Sequence, residues 1–109
     1  MKKYCFTVFL ILSIVLMIGC NGPDTEGKTY TIRYYGNGNT GGFYPVDNNS
    51  YMSGDTAIVK DRNTLYKDGF EFLSWNTKPE GDGVTYKVGD TITVKNMNIR
   101  LYATWGILP

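Results

Sequence analysis

The 109 residues carry 11 Lys and Arg against 10 Asp and Glu, a formal charge of +1, with no histidine and two cysteines. A balance this close to neutral leaves no basic surface of the kind nucleic acid requires. The lack of histidine removes the commonest general base and metal ligand. The length allows one small domain.

The chain begins MKKYCFTVFLILSIVLMIGC: two lysines, an apolar run from Phe6 to Ile18, then Gly19-Cys20. This is the layout of a secretory signal, with a positive start, an apolar middle and a small residue at the cut. Tyr4 to Gly19 is 16 residues, short of the ~20 a membrane-crossing helix needs, so residues 1–19 are expected to be cleaved. LMIGC resembles the lipobox of bacterial lipoproteins, with Met17 where leucine is usual. The resemblance implies that Cys20 receives an acyl lipid such as palmitate on its sulfur and becomes the first mature residue. The product would be exported and anchored by that lipid in the cell envelope. Asn21 follows Cys20, which favours the outer membrane or cell surface. Cys5 leaves with the signal, so the mature chain has no disulfide despite its oxidising destination. Removing Lys2 and Lys3 leaves nine basic residues against ten acidic ones, a mature side-chain balance of −1.

Cys20 to Lys28 then reads as a polar tether, since Gly22, Pro23 and Gly27 discourage regular structure. TYTIRYYG alternates, with Tyr30, Ile32 and Tyr34 on one face and Thr31, Arg33 and Tyr35 on the other, which predicts a strand. Further strands are expected at TAIVK (56–60), FEFLSW (70–75), TITVK (91–95) and IRLYATW (99–105). In the last, Ile99, Leu101, Ala103 and Trp105 share one face and Arg100, Tyr102 and Thr104 the other. SGDTAIVK and VGDTITVK repeat one turn chemistry, with Asp55 and Asp90 free to accept a hydrogen bond from a nearby backbone amide. KDRNTLYKDG (60–69) could form one helical turn before Gly69. The expectation is a mostly β domain of four to five strands whose large rings make a small core sufficient.

YYGNGNTGG places Gly36, Gly38 and Gly41 as G-x-G-x-x-G after a strand. A dinucleotide site needs a helix next, to meet the phosphates. FYPVDNNSY follows instead, and Pro45 with Asn48-Asn49 is poor helix material. No nucleotide or other cofactor is therefore expected, and the glycines are assigned to a sharp turn with positive φ angles. DNNSY (47–51) lacks the glycine and distant glutamate of an EF-hand. Asp47, Asp55 and Asp61 are expected to be solvated loop carboxylates rather than a metal site. Glu71 and Glu80 have no spacing that asks for paired-carboxylate chemistry. Ser74 has no histidine to activate it. No catalytic residues are assigned.

DGFEFLSWNTKPEGDG followed by IRLYATW resembles the Listeria–Bacteroides repeat, also called the internalin-type B repeat. Gly69, Phe70, Phe72 and Trp75 match its G-aromatic-x-F-x-x-W motif. Leu101, Tyr102, Ala103 and Trp105 match its x-L-Y-A-x-W motif. YYGNGNTGG matches its first turn. Phe70 stands for the usual tyrosine and Ser74 for the usual glycine. The resemblance covers residues 29–106, leaving 107–109 as a tail. It implies a β-grasp-like fold in bacterial surface and secreted proteins that space or bind rather than catalyse. The expected function is a lipid-anchored, non-enzymatic protein-interaction or adhesion module of the cell envelope. Phe43, Tyr44, Tyr51 and Tyr86 are its candidate contacts, because tyrosine offers large contact area at low entropy cost. The alternatives are a carbohydrate-binding accessory, with Tyr35, Tyr102 and Trp105 as a stacking platform, and a purely structural envelope lipoprotein. Trp75 and Trp105 are also expected to anchor the core.

Overall fold

Every strand expected from the alternation forms. The computed structural model describes residues 27–109. The signal segment, Cys20 and most of the tether lie outside the described residues. Six strands follow in order: β1 (Ile32–Tyr35), β2 (Thr56–Ile58), β3 (Phe70–Asn76), β4 (Thr85–Tyr86), β5 (Thr91–Thr93) and β6 (Ile99–Ile107). β1, β6, β3 and β4 make one sheet in that order, and β2 and β5 make a second, two-stranded one. β1 runs parallel to β6, while β3 is antiparallel to both β6 and β4. This is the expected mostly β domain, with the first and last strands side by side. β4 is one strand more than the alternation predicts; two residues are too few to carry a period.

The alternation decides which side faces in. Ile32 and Tyr34 of β1 and Leu101 and Ala103 of β6 are buried, and the ribbon contributes Ile92 with the flanking Val59 and Val94. Tyr30, Ala57, Ile99 and Trp105 pack against this cluster. The ribbon lies over the inner face of the larger sheet, with the Ala57–Ile92 pair pointing inward and Ile58 left outward.

β3 departs from strict alternation, and the departure explains the F-x-x-W spacing. A period of two would put residues three apart on opposite faces. Phe72 pairs with Trp105 and Ser74 with Thr104, so Leu73 is the extra residue of a β-bulge. A bulge resets the parity by one residue. Phe72 and Trp75 therefore share the inner face, with ring centroids 5.0 Å apart at 64°. Leu73 is pushed outward and stays 52% exposed, lying across Gly106.

The two Gly-Asp-Thr segments pair with each other. Gly54 N–H donates to the Val94 carbonyl (2.7 Å) and Val94 N–H to that of Asp55 (2.8 Å). At the other end Gly89 N–H donates to Val59 (2.9 Å) and Val59 N–H to Asp90 (2.9 Å). The ribbon thus has a local twofold pattern that exchanges Gly54, Asp55 and Val59 with Gly89, Asp90 and Val94. Each aspartate caps its own turn as expected: Asp55 Oδ2 accepts from Met52 N–H (2.8 Å) and Asp90 Oδ2 from Lys87 N–H (2.7 Å).

The helical turn expected within 60–69 does not form. Asp61 Oδ1 accepts from Asn63 N–H (2.8 Å), and Asn63 takes a left-handed φ of 61°. That geometry turns the chain so that Leu65 drops into the core. A short polar side chain bonding its own backbone two residues on competes with helix.

Candidate binding surface

The glycine loop is packed against its neighbours rather than open. Thr40 and Gly41 N–H both donate to the Tyr66 carbonyl (2.7 and 3.3 Å), and Tyr66 N–H returns to Gly41 (3.1 Å). Asp68 N–H donates to Thr40 Oγ1 (2.9 Å) and Phe43 N–H to Thr64 Oγ1 (2.8 Å). These amides are committed within the chain instead of converging on a ligand. Of the three motif glycines only Gly38 has positive φ (91°). Gly41 is needed for another reason: a Cβ there would run into the Tyr66 ring. Gly42, outside the motif, combines both demands, with φ of 88° and the Thr64 carbonyl where its Cβ would stand.

Two of the four candidate contact rings are exposed and two are packed. Phe43 is 77% and Tyr44 49% exposed, and Val46 beside them is 60% exposed. Tyr51 is half-buried against the core; its hydroxyl donates to Asp47 Oδ2 (2.7 Å), and its backbone forms a two-bond bridge with Tyr30. Burial, followed by that bond to the carboxylate, raises its phenol pKa above the ordinary value. Tyr86 pairs across strands with Trp75 and also packs on the core. Asp47, Asp55 and Asp61 each serve their own turn, and among the described residues no three acidic or thiol groups gather as metal ligands.

β1 is an edge strand, hydrogen-bonded to β6 on one side only. Its free side and the Tyr44–Asn48 segment enclose a groove of about 340 Å³, lined by Arg33 and Tyr35 on one wall and Tyr44 and Val46 on the other. That is at the lower end of the roughly 300–1,000 Å³ of small-molecule sites.

The outer sheet face carries an aromatic pair. Parallel pairing sets Tyr35 beside Tyr102, and their rings stack with centroids 5.0 Å apart at 19°. The same register sets Arg33 beside Arg100, both exposed. Trp105 does not join this platform. It belongs to the inner face, edge-on to Phe72 at 5.9 Å, and its indole N–H donates to the Gly36 carbonyl (2.9 Å). The remaining motif residues hold the fold. Gly69 turns the chain with φ of 83°, and Lys67 Nζ sits 4.3 Å over the Phe70 ring.

Two asparagines inside the quoted segments, to which no role was assigned, organise the loops. Buried Asn76 uses its whole amide: Nδ2 donates to the Gly81 carbonyl (3.2 Å) and Thr85 Oγ1 (3.1 Å), while Oδ1 accepts from Lys78 N–H (2.9 Å) and Gly83 N–H (2.8 Å). Asn37 Nδ2 ties the first turn to the Ala103 and Pro79 carbonyls (2.8 and 2.9 Å). Sequence reasoning missed both, and also the arginine pair. The only available signal for the arginines was their parity with Tyr35 and Tyr102.

The turn, the bulged F-x-x-W strand and the L-Y-A-x-W strand form one interlocked unit, and the profile of the Listeria–Bacteroides repeat domain matches residues 30–104. The chain belongs to the Listeria–Bacteroides repeat family. A protein provisionally named a Gly-rich membrane protein, from Evansella cellulosilytica, is 38% identical to this repeat protein over 72 residues, covering 56% of this chain and 8% of the relative. A second protein from that organism, provisionally named a membrane protein, is 30% identical over 78 residues, covering 72% of this chain and 12% of its own length. The repeat therefore spans about a tenth of the curated relatives it matches. No solved structure matches the chain.

Proposed function

We propose that the protein is a lipid-anchored, non-enzymatic module that binds a partner at the cell envelope or cell surface. The observation that carries this is the set of exposed apolar side chains Phe43, Tyr44 and Val46 on one segment, beside a groove walled by the free edge of β1. Large rings left in water next to a concavity mark binding surfaces. Membership of a repeat family whose matching relatives are named as membrane proteins supports the envelope setting. The lipobox resemblance at Cys20 supplies the anchor. The aromatic pair Tyr35–Tyr102 favours a second reading, a carbohydrate-binding accessory.

Protease treatment of intact cells, followed by detergent-phase partition, tests the first reading. The domain should be shaved from whole cells while its stub stays in the detergent phase. Cys20→Ser should move the full chain to the aqueous phase. Protection until the envelope is broken would place the domain inside and end the surface reading.

A further inference from the structure

We infer that the outer sheet face binds an acidic glycan, a chain of uronic-acid sugars, with one sugar ring seated on Tyr35 and its carboxylate held by Arg33 and Arg100. The inference rests on the carbohydrate reading and names its ligand class.

In the Tyr35–Tyr102 stack each ring occupies one face of the other. β1 has no strand beyond it, so the free face of Tyr35 turns toward the edge groove, which Tyr35 lines with Tyr44 on the opposite wall. A pyranose ring has an apolar C–H face, and an aromatic ring lining a groove matches it.

Charge selects which sugar. Arg33 lies two residues from Tyr35 on the same face and lines the same groove, about 7 Å along the strand. Arg100 is its direct neighbour on β6, with the strands about 4.8 Å apart. Among the described residues no carboxylate forms an ion pair with either guanidinium. Asp47, on the far side of the groove, is engaged by the Tyr51 hydroxyl and Asn49 N–H. Two like charges held side by side repel, and guanidinium groups bind carboxylates through paired N–H donors. A uronate relieves the repulsion and fills the groove at once. Arg100 also borders a second hollow with Thr77 and Met97.

The test is calorimetric titration of the full chain, held in vesicles of neutral lipid, with oligogalacturonate, a neutral glucan of equal length, inorganic polyphosphate and anionic lipid vesicles. Oligogalacturonate should bind most tightly, and binding should weaken as salt rises. Arg33→Gln and Arg100→Gln should each weaken it about tenfold. Tyr35→Ser should weaken uronate binding while leaving polyphosphate unchanged. Because neither arginine side chain forms a hydrogen bond or ion pair among the described residues and both are exposed, the double arginine variant should keep the wild-type urea midpoint or exceed it. Wild-type uronate affinity in that folded double variant would overturn the proposal. So would equal binding of polyphosphate or vesicles together with an inert Tyr35→Ser. Surface exposure confirmed by protease shaving, without uronate binding, would end this proposal and leave the interaction module standing.

Discussion

Tyr34 and Trp75 meet edge to face with ring centroids 4.8 Å apart at 70°, and both reach the backbone of Lys60. Lys60 N–H donates to Tyr34 Oη (3.0 Å), and Trp75 Nε1–H donates to the Lys60 carbonyl (2.8 Å). Two core rings from the larger sheet thus satisfy both polar groups of the residue where the β2 segment leaves the ribbon. The contact joins the two sheets by directed bonds as well as by apolar packing. Tyr34→Phe keeps the ring and strands the Lys60 amide. It is expected to cost about 1–2 kcal/mol in urea unfolding; an unchanged midpoint would mean water replaces the hydroxyl without loss.

The same hydroxyl makes stability sensitive to alkali. Burial raises the Tyr34 pKa above its ordinary 10.0, the Lys60 amide opposing the rise, and burial raises Tyr51 as well. A raised folded-state pKa contributes stability that is fully present below the unfolded value and lost as pH rises through the folded one. The urea midpoint should therefore hold up to about pH 9 and fall above pH 10. Tyr34→Phe, lower at neutral pH, should show a shallower decline.

Asn76 governs the loop between β3 and β4. Asn76→Ala removes acceptors from Lys78 and Gly83 N–H in a partly buried site. Destabilisation of about 2 kcal/mol or more is expected, together with faster hydrogen exchange at those two amides. Exchange rates equal to wild type would show that the loop holds itself.

Gly42 and Gly54 both have positive φ, 88° and 101°, yet a Cβ meets the Thr64 carbonyl at the first and open space at the second. Gly54→Ala should cost about 1 kcal/mol, the strain of the left-handed region alone. Gly42→Ala adds a backbone overlap and should cost at least twice as much by thermal unfolding. Equal losses would mean that the 64–66 segment yields freely.

Much of the fold is legible in the sequence, because alternation is a local signal. Tyr30, Ile32 and Tyr34 point inward as their spacing says, as do Leu101 and Ala103, and Asp55 and Asp90 cap the turns their motifs announce. The candidate surface was legible only in part. Phe43 and Tyr44 are exposed, whereas Tyr51 and Tyr86 were drawn into packing because so small a core uses every ring within reach; Trp105 packs on the core as expected from its motif position.

The sequence by itself determined the mostly β class, the inner face of each main strand and the family, all of which depend on residues close together in the chain. Only the tertiary structure decided that β1 runs parallel to β6, that the two Gly-Asp-Thr segments pair with each other, and that Leu73 bulges so Phe72 and Trp75 share a face. It alone set Tyr35 on Tyr102 and Arg33 beside Arg100. Pairing and register are chosen by contacts between residues up to some 70 positions apart, and a shift of one residue would send every side chain of a strand to the other face.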